Sequence, residues 1–225
     1  MSVLPAVVLG VAGIVVGTLV NRAAGRFPWP ASPGVGGLVG AGPIAVRTPV
    51  LEVVSAAAFA LVGLRFGWSA ELPAWVWFLA VGLLLGVIDL RTKLLPNRVL
   101  VPGIAGTALL LTLAAAVDGD WPALLRAGVA AGLCFAVLLV MALIAPAGLG
   151  MGDVKLAALL GLVLGWLGWD AVLLGLFLGF VVQAVAGLVL LASRKAGRST
   201  ELPFGPALLA GALVAALATG EWAAL

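Results

Sequence analysis

From Ala123 to Leu149 the chain carries a single charge, Arg126, and from Leu156 to Trp169 it carries none. Runs this long and this apolar do not make water-facing helices; they need a bilayer around them. The composition extends the argument to the whole chain. Of 225 residues, 64% are hydrophobic and 9% are charged, with a mean hydropathy of +1.29. A soluble domain carries about 25% charge, so too little polar surface exists here to cover a water-soluble globule. The fold class expected is all-α, a polytopic membrane bundle, since helices satisfy their own backbone groups in lipid. Nothing long and polar is left over, so a single membrane-embedded domain over residues 1–225, without an appended soluble module, is expected.

Apolar runs between charges and Pro/Gly breaks give about eight candidate spans: Leu4–Val20, Pro49–Phe66, Pro73–Leu90, Val99–Val117, Trp121–Ala145, Val154–Trp169, Ala171–Ala192 and Pro203–Thr219. A crossing needs about 20 apolar residues. The sixth run is short, so its helix is expected either to be little tilted or to begin inside "GMGDVKL" (150–156). The first lacks an A-x-A-like cleavage site and reads as a retained span. Alternating the connections puts ten of the twelve basic residues on one side: Arg22, Arg26, Arg47, Arg91, Lys93, Arg98, Lys155, Arg194, Lys195 and Arg198. Glu71, Asp118, Asp120, Asp170 and Glu221 fall on the other. The excess of Lys and Arg marks the first side as cytoplasmic and predicts both termini outside. The longest connection, residues 21–48, is then a cytoplasmic loop, irregular because of its Pro and Gly and interfacial through Phe27 and Trp29. Glycine pairs spaced by four, Gly82/Gly86, Gly128/Gly132, Gly161/Gly165 and Gly175/Gly179, are candidates for close helix contacts.

The absence of histidine removes imidazole-based nucleophilic catalysis and imidazole metal sites. The single cysteine, Cys134, sits mid-run and makes neither an intrachain disulfide nor a cysteine zinc site. Four carboxylates remain on or near the basic side: Glu52, Asp89, Asp153 and Glu201. Asp89 closes the third run and Asp153 opens the sixth, so both lie at one depth on different helices. Two spans packed side by side could bring these carboxyls together. Two carboxyls sharing a low-dielectric site do not both ionise. The charged one can take a proton from water while the protonated one donates to a carbonyl oxygen, which together hydrolyse an amide. Gly150 and Gly152 remove side-chain bulk, so an extended peptide could lie against Asp153. The plainer alternative is juxtamembrane Asp beside a cation, Asp89 with Arg91 and Asp153 with Lys155, or Asp153 as a helix N-cap.

"GMGDVKL" resembles the GxGD motif of the membrane aspartyl proteases, and most closely that of the prepilin peptidases, or type IV leader peptidases. Their first catalytic aspartate is similar to Asp89 in "GVIDLRTKLLPNRV", with Pro96 and Asn97 beginning seven residues later. Their second is similar to Asp153. "GTLVNRAAGRFP" (17–28), in which Gly17 and Asn21 fit, and "LPFGPALLAGA" (202–212) resemble two flanking family segments. The resemblance spans most of the chain in the family's order. It implies an endopeptidase that removes a short basic leader from type IV prepilins or type II secretion pseudopilins, after a glycine at the cytoplasmic face of the inner membrane. Asp89 and Asp153 would be catalytic. Gly150, Gly152, Lys155, Pro96 and Asn97 would support them, and Asn21, Glu52 and Glu201 would contact substrate or cofactor, the two glutamates as exposed acids meeting the cationic leader. Partners implied are the prepilin and the lipid bilayer, with no nucleic acid. Proteolysis implies no cofactor. Many members also methylate the new N-terminus with S-adenosylmethionine. Many carry two Cys-x-x-Cys zinc pairs in the first cytoplasmic loop; residues 21–48 have no cysteine, so no zinc is expected and methylation is left open.

Three other readings stand beside this one, and one of them is a methyltransferase-only or inactive homologue. A non-enzymatic transporter or assembly protein would place ionisable groups near the bilayer midplane, and the fourth, fifth, seventh and eighth runs have no mid-span acid. A different GxGD protease, such as a preflagellin peptidase, is disfavoured by the P-F-G-P stretch and the eight runs.

Overall fold

In a computed structural model, the structure describes residues 3–30, 42–144, 149–193 and 202–219. These form eight helices: α1 (Leu4–Gly25), α2 (Val50–Phe66), α3 (Leu72–Thr92), α4 (Asn97–Asp118), α5 (Trp121–Ile144), α6 (Met151–Leu167), α7 (Trp169–Ala192) and α8 (Gly205–Ala218). Each apolar run of the sequence is one helix, and no strand occurs among the described residues. Five of them, α1, α3, α4, α5 and α7, are long and apolar enough to cross a membrane. With α2, α6 and α8 at 17, 17 and 14 residues, the protein is a multi-pass membrane protein whose shorter helices sit among longer ones.

Three antiparallel hairpins dominate the packing: α1 on α2, α5 on α6, and α7 on α8. Small residues set these approaches. A Cβ on Gly161 would lie 2.6 Å from the Ala131 Cα, and one on Gly165 would lie 2.9 Å from the Ala127 Cα, so α6 rests directly on the backbone of α5. Gly179 meets α8 closely, a Cβ there lying 3.1 Å from the Leu208 Cα, while Gly175 receives the side chain of Leu164 of α6, and Gly82 and Gly86 receive the side chain of Leu209. The fourth expected pair, Gly128/Gly132, faces open space instead. The α1–α2 contact is built on Gly13 and Gly17, where a Cβ would come within 2.8 and 2.9 Å of the α2 backbone.

The two cations that break the charge asymmetry have structural partners. Arg65 donates from Nε to Ala216 O at 3.3 Å and from Nη2 to Thr219 O at 2.9 Å, at the end of α8. Arg126 donates from Nε to Gly165 O at 2.7 Å and also to Trp166 O, at the end of α6. Each guanidinium satisfies carbonyls that a helix C-terminus leaves without intrahelical partners, where a cation is also favoured by the helix dipole.

At the other end of the bundle, α3 carries Asp89 in its last turn and α6 carries Asp153 in its first. These helices make little direct contact with each other. This differs from the side-by-side packing expected of the two aspartate helices. α3 packs on α4, α1, α8 and α2, whereas α6 packs on α5, α4, α7 and α8, so the two acids are joined through α4 and α8.

Candidate active site

Asp89 is buried, with 4% of its surface exposed. Its Oδ2 accepts the backbone N–H of Gly205, the first residue of α8, at 3.0 Å. A Cβ at Gly205 would stand 2.8 Å from that oxygen, so only glycine lets the amide approach from this direction. α3 ends just beyond Asp89. Lys93 turns the chain in a left-handed conformation, φ 55°, and donates its backbone N–H to Asp89 O at 2.8 Å. Residues 93–96 then lead to Asn97, where Pro96, extended and unable to continue a helix, precedes α4.

Asp153 sits at the third position of α6, not at its N-cap, which is Gly150. Its Oδ2 accepts the Gly150 backbone N–H at 3.1 Å. That is one half of a capping box, with an acid reaching back to an orphan amide at the helix start. The same place suits a negative charge, because the helix dipole presents its positive end there. Asp153 is half-buried.

Leu95 joins the two acids. It packs against Gly152, beside Asp153, and reaches towards Gly205, which holds Asp89. Farther out, the Lys155 Nζ donates to the Asn97 Oδ1 at 2.8 Å, tying α6 to the start of α4 across 58 residues of sequence. The expected supporting residues Gly150, Gly152, Lys155, Pro96 and Asn97 thus all lie around the two aspartates. Gly205 and Leu95 had no role assigned from sequence. Gly205 lay within the quoted P-F-G-P stretch, but its amide could be matched to Asp89 only once the chain was folded.

Asn21 and Glu52 form a second cluster. Asn21, 1% exposed, pairs its side-chain amide with the backbone of Val46, accepting from its N–H at 2.8 Å and donating to its carbonyl at 2.9 Å. It also donates to Glu52 Oε1 at 3.3 Å. The expectation that Glu52 is an exposed acid is corrected by its 9% exposure. The glycine-lined α1–α2 contact draws it inward against Asn21, so its charge does not face an incoming leader. Leu51, its neighbour, packs with Val87 and Ile88 of α3, which puts the cluster at the depth of Asp89. Glu201 lies outside the described residues. Trp29 donates its indole N–H to Ala23 O at 2.8 Å and meets Phe27 edge to face, folding the start of the loop back on α1. Cys134 is buried within α5.

The model of the type IV leader peptidase family matches residues 74–190, which contain both aspartates. The chain belongs to the type IV leader peptidase family. Among curated relatives of this family, the prepilin leader peptidase/N-methyltransferase of Bacillus subtilis (strain 168) is 35% identical over 177 residues, covering 77% of this chain and 67% of that protein. Those of Pseudomonas putida and Stutzerimonas stutzeri are 36% and 34% identical, each over 77% of this chain and 59% of their own length. The chain thus spans about three-fifths of the length of the latter two. No solved structure matches. The family match leaves out α1, α2 and α8, so Gly205 and the Asn21–Glu52 cluster lie beyond it.

Proposed function

We propose that the protein is an aspartic endopeptidase that cuts the basic leader from type IV prepilins or pseudopilins at the cytoplasmic face of the inner membrane. One observation carries this reading: the fold brings Asp89 and Asp153, from helices that barely touch, to the two sides of one residue, Leu95. In the reaction, the ionised aspartate takes a proton from water. The oxygen attacks the scissile carbonyl carbon, and the protonated aspartate donates to the carbonyl oxygen. Collapse of the tetrahedral intermediate then breaks the C–N bond and protonates the leaving amine. In this topology all eight helices cross, the termini lie outside, and the single domain presents residues 21–48 and the two aspartates to the cytoplasm. An apolar groove of about 300 Å³ between α2, α3 and α8 ends at Leu90 and Pro206, which adjoin Asp89 and Gly205. This reading lays part of the substrate's hydrophobic segment along the groove and leaves its leader in the cytoplasm.

Proteolysis by this site needs no metal or cofactor. Asn21 and Glu52 act as positioning residues for the loop after α1. Methylation is a separate question, because the relatives' names join both activities whereas residues 21–48 hold no cysteine. Co-expression with a candidate prepilin, followed by mass spectrometry of the mature pilin, tests both. Cleavage is expected from the parent chain and lost in Asp89→Asn and Asp153→Asn, with both variants still accumulating in the membrane. Full cleavage by either variant refutes the dyad. A gain of one methyl group on the new N-terminus, dependent on this chain, assigns it the second activity.

A further inference from the structure

The connection between α3 and α4 puts one side chain in the space where a substrate must go. A Cβ on Gly152 would stand 2.7 Å from Leu95 Cβ and 3.3 Å from its Cδ1. A Cβ on Gly205 would stand 3.4 Å from Leu95 Cδ2 and 2.8 Å from Asp89 Oδ2. A single isobutyl group therefore touches backbone beside each acid. Its position is fixed from both directions: Lys93 makes the left-handed turn before it, Pro96 restricts it from behind, and Asn97 is held by Lys155 at 2.8 Å. The Leu95 Cβ lies closest to Gly152, and its Cδ2 lies on the side of Gly205.

For both carboxyls to act on one peptide bond, the scissile carbonyl has to enter between them, beside Leu95. A residue with no side chain brings its carbonyl in without displacing Leu95. A residue with a Cβ competes with it for the same volume. We propose that Leu95 is the specificity-determining residue that restricts the position contributing the scissile carbonyl to residues without a side chain. Leu95 touches neither proton in the reaction; it acts by excluding volume. The inference rests on the endopeptidase reading above.

The test uses the full-length chain in proteoliposomes. The substrates are peptides with a basic leader and an apolar segment, carrying Gly, Ala or Val immediately before the cut. A hydrophobic pocket discriminates one carbon by roughly 10- to 200-fold, so the parent is expected to favour Gly over Ala within that range. Leu95→Ala is expected to bring the ratio of kcat/KM values to about threefold, and Leu95→Val to an intermediate value, because the vacated volume accepts the extra carbon. A purely structural role would lower cleavage of every substrate alike and leave the ratio unmoved. An unchanged Gly-to-Ala ratio in both variants overturns the inference and leaves the endopeptidase intact. Loss of all cleavage in Leu95→Ala with an unchanged ratio in Leu95→Val does the same. A parent chain that leaves the glycine peptide uncut refutes the endopeptidase reading, and this inference falls with it.

Discussion

Replacing Gly205 with alanine sets two physical effects against each other. Gly205 is the first residue of α8 and has no positive φ. By helix propensity alone, alanine is favoured there, by up to about 1 kcal/mol for an interior position. Against this stands the contact with Asp89, where the new Cβ would lie 2.8 Å from Oδ2 and 3.4 Å from Cγ. Restoring an ordinary separation moves the carboxyl by about 0.6 Å, the gap between 2.8 and 3.4 Å. That displacement stretches the 3.0 Å bond from the Gly205 amide. A hydrogen bond to a charged group contributes about 1.5–3 kcal/mol, and overpacking costs about 1–3 kcal/mol, so the steric effect wins. A catalytic group misplaced by about 1 Å loses roughly a hundredfold in rate. Gly205→Ala is accordingly expected to cut prepilin roughly 10- to 100-fold more slowly in kcat, with the helical circular dichroism unchanged. The assay is steady-state cleavage in proteoliposomes, alongside thermal unfolding of the same preparation. A variant as fast as the parent, or more stable with full activity, would refute the placement of this amide on Asp89.

Two further outcomes follow from contacts on either end of the bundle. The Lys155–Asn97 bond spans α6 and α4 on an exposed surface, so its coupling is expected near 1 kcal/mol, about fivefold in rate. Asn97→Ala and Lys155→Ala should each slow cleavage by about that factor and the double variant no further; strictly multiplicative losses in kcat/KM would show that the bond does not act as a unit. At the opposite end, Glu71 accepts the Trp166 indole N–H, and burial pushes its carboxyl above the ordinary value, against the lowering effects of Trp166 and Arg65. A carboxyl raised in the folded state contributes stability that is fully present below its unfolded pKa and lost as pH rises through the folded value. The unfolding midpoint should therefore fall as pH is raised through that window, and less steeply in Glu71→Gln, which keeps the acceptor for Trp166; identical slopes for the two proteins would exclude Glu71 as a source.

The helices were legible because apolar runs, and the charges and Pro/Gly breaks between them, are local properties. The start of α6 inside "GMGDVKL" was one of two readings of the short sixth run, the other being a helix with little tilt, and the structure takes the first. The placement of Asp89 near the end of one helix and of Asp153 near the start of another was legible. How they meet was not. Depth says nothing about which helices are neighbours, and α3 and α6 are joined by α4 and α8 rather than by each other. Glu52 was misread for a related reason. A carboxylate at the head of a helix is ordinarily solvated, but the glycines at 13 and 17, on a different helix, determine that this one is enclosed. Glycine spacing also overstated one interface, because Gly128 and Gly132 carry the same interval as working pairs and face nothing.

The two acids have the same kind of partner: each accepts one backbone amide, and both amides belong to glycines, Gly205 and Gly150. In a low-dielectric setting a carboxyl needs such a donor, since leaving it unsatisfied is costly. A side-chain donor would do this equally well, but it would also fill the space in front of the acid. A glycine amide supplies the bond and leaves that space to water and to an extended peptide. The same economy makes the site depend on backbone position. The amide on Asp89 arrives with α8, the amide on Asp153 with the first turn of α6, and Leu95 between them with the turn after α3. A shift of any of these three segments changes the separation of the acids without changing a single side chain in contact with the substrate. Substitutions in the Leu202–Phe204 approach to α8, remote from the acids in sequence, should therefore alter kcat for cleavage more than KM. That asymmetry would not arise if the acids were held by side chains of their own helices.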